Sequence, residues 1–339
     1  MKRIHSPQGL KFNRIKISLL LSSLVLTSAL STSMVGQALP FMKAADRDDN
    51  PLAAPDVIPK VKLTKEQQAS YDAAIKNGQT YLQQQSMDMA KLCFQQALQL
   101  DGNSVPAHIG MGVCLSNEKD LGPAEFELTE ALRVQPNNTE ARFLLGQLMM
   151  KENHWNEAGG QFLQILKFEP RNNAARGNLA VCLQQLGQID NAIGQYDYIL
   201  RENPKSADAA YNLGAAYELK KNIETAIVYY KKAIQIDPKY YNAYCSIAKC
   251  LVGKKMYTDG LTLLKHASEM NPKNYYGFLV YGYIYEQMGP KYKKLAIESY
   301  TRAVALNPND WDAKRSLQRV LEKGHEKELA ELKRLQMPQ

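Results

Sequence analysis

Residues 209–239 read AAYNLGAAYELKKNIETAIVYYKKAIQIDPK, and closely similar wording recurs up and down the chain. The prolines give the spacing: Pro136, Pro170, Pro204, Pro238 and Pro272 stand 34 residues apart, and Pro308 follows after 36. A fixed period of this size marks a stacked array of repeats. A repetitive chain grows by adding units to one elongated core, so the 339 residues are divided by the period and not by the usual domain length.

Aligned on the prolines, seven units begin at Tyr71, Val105, Thr139, Asn173, Ala207, Tyr241 and Tyr275. Small residues recur at the eighth place (Gly78, Gly112, Gly146, Ala180, Gly214, Ala248, Gly282) and at the twentieth (Ala90, Ala124, Ala158, Ala192, Ala226, Gly260, and Ala296 after a two-residue insertion). Large residues recur at the seventh, eleventh and twenty-fourth places, as in Leu213, Tyr217 and Tyr230. This pattern requires two helices per unit that touch closely at the small residues, with the large ones filling the space around them. The proline falls just past the second helix and ends it. Gly102 fills that place in the first unit, and MGPKYKKL (288–295) carries the two extra residues of the seventh.

In combination these places resemble the tetratricopeptide repeat, over residues 71–310 and a following helix. The resemblance implies an all-α, right-handed superhelical solenoid of antiparallel helix pairs, capped by residues 311–339. The family's Trp at the fourth place is absent throughout, with His108, Arg142 and Arg176 among its replacements, so the outer packing is expected to depart from the family pattern.

Ahead of the repeats, residues 1–38 hold five basic side chains (Lys2, Arg3, Lys11, Arg14, Lys16) and no acidic ones. A basic stretch, the run ISLLLSSLVLTSAL from Ile17, and the small residues up to Gly36-Gln37-Ala38 read as a Sec-type export signal. An uncleaved anchor through residues 17–35 and an organelle transit peptide are the other readings. Removing this segment lowers the formal charge from +8 to +3, too small to indicate a polyanionic partner. Residues 39–70 precede the first unit and read as a proline-containing tether, extended over 39–64, where four prolines stand and no helical period runs.

No catalytic or metal-binding constellation emerges. The five histidines (5, 108, 154, 266, 325) share no zinc-ligand spacing, and no phosphate-binding loop, GxGxxG or GxSxG motif is found. An enzyme, a cofactor and a nucleic-acid partner are therefore not expected. The five cysteines (93, 114, 182, 245, 250) fall inside helices and read as small buried hydrophobes. Asn137-Asn138-Thr139 matches a glycosylation acceptor.

Binding remains. The resemblance implies a concave groove lined by first helices at places two, five, nine, twelve and thirteen. Asn178 and Asn212, at place six, could hold a ligand backbone, but the lysine that a carboxylate clamp needs at place five is missing from every unit. Seventeen of the nineteen tyrosines lie between Tyr196 and Tyr300, and tyrosine is favoured at binding hot spots. Tyr211, Tyr276, Tyr283 and Lys249 are accordingly candidate contacts, against the reading that tyrosine here only packs helices. Charge divides similarly: residues 71–206 hold 11 basic and 15 acidic groups, residues 207–300 hold 13 and 8.

The leading expectation is a non-catalytic scaffold, exported or membrane-tethered, that binds another protein's segment or helix in the groove. The alternatives are a periplasmic accessory of envelope or polysaccharide assembly that binds glycan through its tyrosines, and self-assembly in which the acidic half of one copy docks on the basic half of another.

Overall fold

The computed structural model describes residues 61–322. The expected signal or anchor (1–38), most of the tether, the candidate bilayer stretch 17–35 and the last part of the cap (323–339) lie outside the described residues. Among those described, fifteen α-helices and one short 3-10 turn occur, and no strand. No described helix is long and apolar enough to cross a membrane.

The helices come in pairs. They are α1 (Lys65–Gln83) with α2 (Met87–Leu100), α3 (Val105–Glu118) with α4 (Leu121–Val134), and α5 (Thr139–Lys151) with α6 (Trp155–Phe168). Next come α7 (Asn173–Gln185) with α8 (Ile189–Glu202), α9 (Ala207–Leu219) with α10 (Ile223–Ile236), and α11 (Tyr241–Val252) with α12 (Tyr257–Met270). The seventh pair, α13 (Tyr275–Gln287) with α14 (Lys293–Leu306), is followed by the half pair α15 (Trp311–Glu322). Each helix packs on its sequence neighbours, and first helices of adjacent pairs also touch, α1 with α3, α3 with α5, α5 with α7 and α11 with α13. The result is a solenoid of antiparallel helix pairs.

Local chemistry sets the boundaries. Ser104, Asn138, Asn172 and Ser206 each accept a hydrogen bond from the backbone N–H three residues on, capping α3, α5, α7 and α9. Within each pair the turn needs a left-handed residue at the fifteenth place: Gln85, Lys119, Asn153, Gly187, Lys221, Lys255 and Gly289 all have positive φ. Only two of these are glycine, so the helices flanking the turn hold the other five in a conformation that side chains resist. Second helices end two residues before the proline, as the period requires. The two-residue insertion forms a 3-10 turn, Pro290–Tyr292, between α13 and α14.

The small-to-large pattern has a steric cause. A Cβ on Gly146 would stand 2.8 Å from the ring of Phe162, on Gly214 2.7 Å from Tyr230, and on Gly282 2.5 Å from Tyr300. Place eight of the first helix thus receives the place-24 side chain of the second, a ring in these three units and in the first, and Leu128 opposite Gly112 in the second. These rings and their alanine neighbours form the core: Phe94, Phe162, Tyr196, Tyr230 and Tyr300 are at most 1% exposed.

One boundary differs from expectation. α1 begins at Lys65, so the end of stretch 39–70 is helical and not tether. Thr64 and Gln67 form a reciprocal capping box, which starts the helix six residues before the first unit. At the other end α15 buries Ala313, Leu317, Val320 and Leu321 against the last pair.

Candidate functional site

The tyrosines of the second half are held by a recurring side-chain arrangement that links neighbouring units. Tyr230 donates its hydroxyl to Glu218 Oε2 (2.7 Å), and Lys249 of the next unit reaches Glu218 Oε1 (2.8 Å). Two units on, Tyr300 donates to Glu286 (2.9 Å), and Arg319 forks onto the same carboxylate (3.0 and 2.7 Å). In places, a tyrosine at 24 takes an acceptor at 12, and a carboxylate at 12 takes a cation at place nine of the following unit. Unit four shows the neutral version. Tyr196 donates to Gln184 (2.7 Å), and Ala215 stands where the cation would be. Where place 24 is Phe94, Leu128, Phe162 or Leu264, place 12 is Leu82, Ser116, Met150 or Val252, none of them acidic. The partners follow one another because a buried hydroxyl needs an acceptor and a half-buried carboxylate needs a cation.

Three of the six sequence-derived candidates take part in this arrangement or pack beside it. Tyr211 is 5% exposed; its ring lies between Tyr230 (5.3 Å) and Tyr240 (5.2 Å) and its hydroxyl meets Ser246 at 3.3 Å. Ser246 in turn meets the hydroxyl of Tyr276 at 3.4 Å. Burial raises both phenol pKa values well above their ordinary range, so both stay neutral. Lys249 is engaged by Glu218: burial pulls its pKa down, but the carboxylate outweighs burial and the ammonium stays charged. The other three candidates are placed differently. Asn178 on α7 and Asn212 on α9 are half-buried, 34 residues apart at the same place, and neither amide makes a hydrogen bond to any described residue. Tyr283, on α13, packs one side of its ring on the cluster around Cys245 and Val280 and leaves the rest accessible.

The family's missing Trp has a polar replacement that the sequence did not reveal. His108 Nε2 faces the Gly102 carbonyl (3.0 Å) and Nδ1 faces Glu127 (2.6 Å). Arg142 donates to the Pro136 carbonyl (2.7 Å) and to Gln161 (3.0 Å), and Arg176 to the Pro170 carbonyl and to Gln195, both 2.7 Å. Tyr244 donates to the Pro238 carbonyl (3.2 Å). A donor at place four thus ties the turn from the preceding unit, and in three units it also reaches place 23 of its own second helix. The spacing of His108 from Glu127, Arg142 from Gln161 and Arg176 from Gln195, 19 residues each time, is the signal that could have found it.

His108 has two acceptors and needs two N–H groups to satisfy them, which only the imidazolium has. Burial lowers its pKa, but the hydrogen bonds to Glu127 and the Gly102 carbonyl outweigh burial and the value is raised. A pKa raised on folding contributes stability that is complete below the unfolded value of about 6.5 and is lost as pH rises through the folded value. The unfolding free energy of the whole chain, from urea titrations, is expected to fall between pH 6 and pH 8 by on the order of 1 kcal/mol from this contact. In His108→Arg, which supplies a permanent cation as in the next two units, that part of the pH dependence disappears.

Of the cysteines, Cys114, Cys182, Cys245 and Cys250 are buried and Cys93 is half-buried, all as free thiols. Burial pushes Cys114 up to about 11 and the other three buried thiols up to about 12, which leaves them as packing groups and not nucleophiles.

One open cleft of about 410 Å³ lies between α12 and α14, lined among others by Phe278, Tyr281, Tyr285, Glu298 and Arg302. Tyr281, Tyr285 and Tyr292 stand nearly parallel at 6.1 and 6.3 Å, and the Arg302 guanidinium lies 4.4 Å over the Phe278 ring.

Helix pairs stacked at a 34-residue period, each closed by a small-to-large contact, define a helical-repeat solenoid. Comparison with known families supplies the rest: tetratricopeptide-repeat models match residues 71–104, 150–206 and 207–240. The chain is a tetratricopeptide-repeat protein. The crystal structure of a tetratricopeptide repeat protein from Parabacteroides merdae ATCC 43184 is 16% identical, with a TM-score of 0.67 over 75% of this chain and 99% of that one. The anaphase-promoting-complex hetero-tetramer Cut9–Hcn1 is 16% identical over 68% of this chain and 45% of that one, with a TM-score of 0.54. At these identities the likeness concerns the fold. No curated protein matches the chain in sequence.

Proposed function

We propose that this tetratricopeptide-repeat protein is a non-catalytic scaffold, exported or tethered by its N-terminal segment, that holds an extended segment of another protein along its row of first helices. Proteins built from this repeat generally serve as interaction scaffolds. Export rests on the basic residues up to Lys16 and the apolar run from Ile17.

The observation that carries the binding reading is the pair Asn178 and Asn212. Each is half-buried on successive first helices and leaves both amide donors and its acceptor unused. Two such amides can bond a ligand backbone without reading its side chains. Tyr283 then supplies an aromatic contact further along the row. Lys249, Tyr211 and Tyr276 stay occupied within the array and serve the site by holding its helices in register.

Selection from a library of random extended peptides, run in parallel on the wild type and on Asn178→Ala/Asn212→Ala, tests this. The wild type is expected to enrich a peptide family that the variant, folded by circular dichroism, does not. Equal enrichment by both removes the two amides from the binding site.

The cleft beside α13 favours a second reading, a glycan-binding accessory of envelope assembly, because its aromatic floor and flanking Glu298 and Arg302 suit a sugar ring.

A further inference from the structure

The outer faces of two distant parts of the array carry matching apolar groups and opposite charges. On α2 and α4, Leu92 and Phe126 occupy the same repeat place and are 54% and 63% exposed. Asp88, one helical turn before Leu92, and Glu125, beside Phe126, are in no ion pair with a described residue. On α10, Val228 holds the same place, is 61% exposed, and is followed within one turn by Lys231 and Lys232. Lys265 on α12 repeats the place of Lys231, and these three ammonium groups are likewise outside any ion pair. In the two intervening units that place is Gly160 and Gly194, each facing open space, so the apolar groups form two separate patches.

The charge balance matches the patches. Residues 71–138 hold 4 basic and 8 acidic groups, and residues 207–274 hold 10 and 6, giving −4 against +4. Lys91 beside Leu92 and Glu224 one turn before Val228 are taken by Glu118 and Lys254, which leaves unpaired charge of one sign beside each set of exposed apolar side chains, as an interface does when its partner is absent.

We propose that the partner is a second copy of this chain: the α2/α4 face of one copy docks on the α10/α12 face of the other, Leu92 and Phe126 against Val228, Asp88 and Glu125 against Lys231, Lys232 and Lys265. Two copies running in opposite directions make the contact twice, since each contributes its acidic face to the other's basic one. That relation is self-complementary and closes as a dimer. The inference is independent of the peptide-binding reading, because it uses second helices and not the row of first helices.

Sedimentation of the full chain tests it. At about 20 mM salt the sedimenting mass is expected to be twice that of one chain, falling to one at about 500 mM as the charges are screened. Asp88→Lys/Glu125→Lys carries two basic faces, and Lys231→Glu/Lys232→Glu/Lys265→Glu two acidic ones, so each alone stays monomeric at low salt. Mixed in equal amounts, the two variants present opposite faces again and regain the doubled mass, which also shows that both are folded. A wild type that is monomeric at low salt overturns the proposal. So does association that persists in both charge-swapped variants or is indifferent to salt.

Discussion

Replacing Phe162 with alanine is expected to lower the stability of the array by about 3–5 kcal/mol. Phe162 is fully buried, and its ring fills the space opposite Gly146 and meets Phe143 edge-on at 5.7 Å. Gly146 has no side chain to move into the void, and the helices on either side are held by their own neighbours, so the cavity cannot close. The effect is also local in a way that a globular core would not show. Each unit contacts only its neighbours, so weakening the third one uncouples the units before it from those after it. Urea unfolding followed by circular dichroism should change from one transition to two, the lower one shifted by the full cost. A single transition displaced as a whole would show that the array couples over a longer range than its contacts suggest.

The second large effect falls on Glu218. Glu218→Ala leaves the buried Tyr230 hydroxyl without its acceptor and Lys249 without its counter-ion, and should cost about 2–3 kcal/mol. The double change Glu218→Gln/Lys249→Ala should cost less than about 1 kcal/mol despite altering more atoms, because unit four and its successor already use that combination at Gln184 and Ala215. Denaturant midpoints of the wild type, Glu218→Gln, Lys249→Ala and the double variant settle it. Additive losses would mean that the places vary independently and that Lys249 has another task.

The fold was legible in the sequence because its cause is steric and repeats seven times. A small residue at place eight and a large one at 24 reflect one contact seen again in every unit, and a proline past the second helix marks its end in six of the seven. The turn was less so: Lys119, Lys221 and Lys255 adopt a left-handed conformation that their side chains do not announce. The site was legible only in part. Tyr211, Lys249 and Tyr276 fall at places that line a groove when one unit is considered alone, but in a stacked array a neighbouring unit's side chains reach the same space. Whether Lys249 points outward or toward Glu218 depends on a residue 31 positions away, which a period of 34 does not display. Asn178 and Asn212 remained candidates for the opposite reason, since none of the described side chains reaches their amides.

Tyr211, Tyr276, Glu218 and Lys249 are engaged within the array, and we propose that ligand is taken instead by the unpaired amides of Asn178 and Asn212. One measurement addresses both halves: the affinity of a peptide selected on the wild type for Asn178→Ala/Asn212→Ala and for Glu218→Gln/Lys249→Ala. The first is expected to lose at least about tenfold, the value of roughly 1.4 kcal/mol of lost hydrogen bonding, and the second to change within about twofold. Unchanged affinity in the asparagine variant together with lost affinity in the second, while both remain folded, would contradict it and return the site to Lys249.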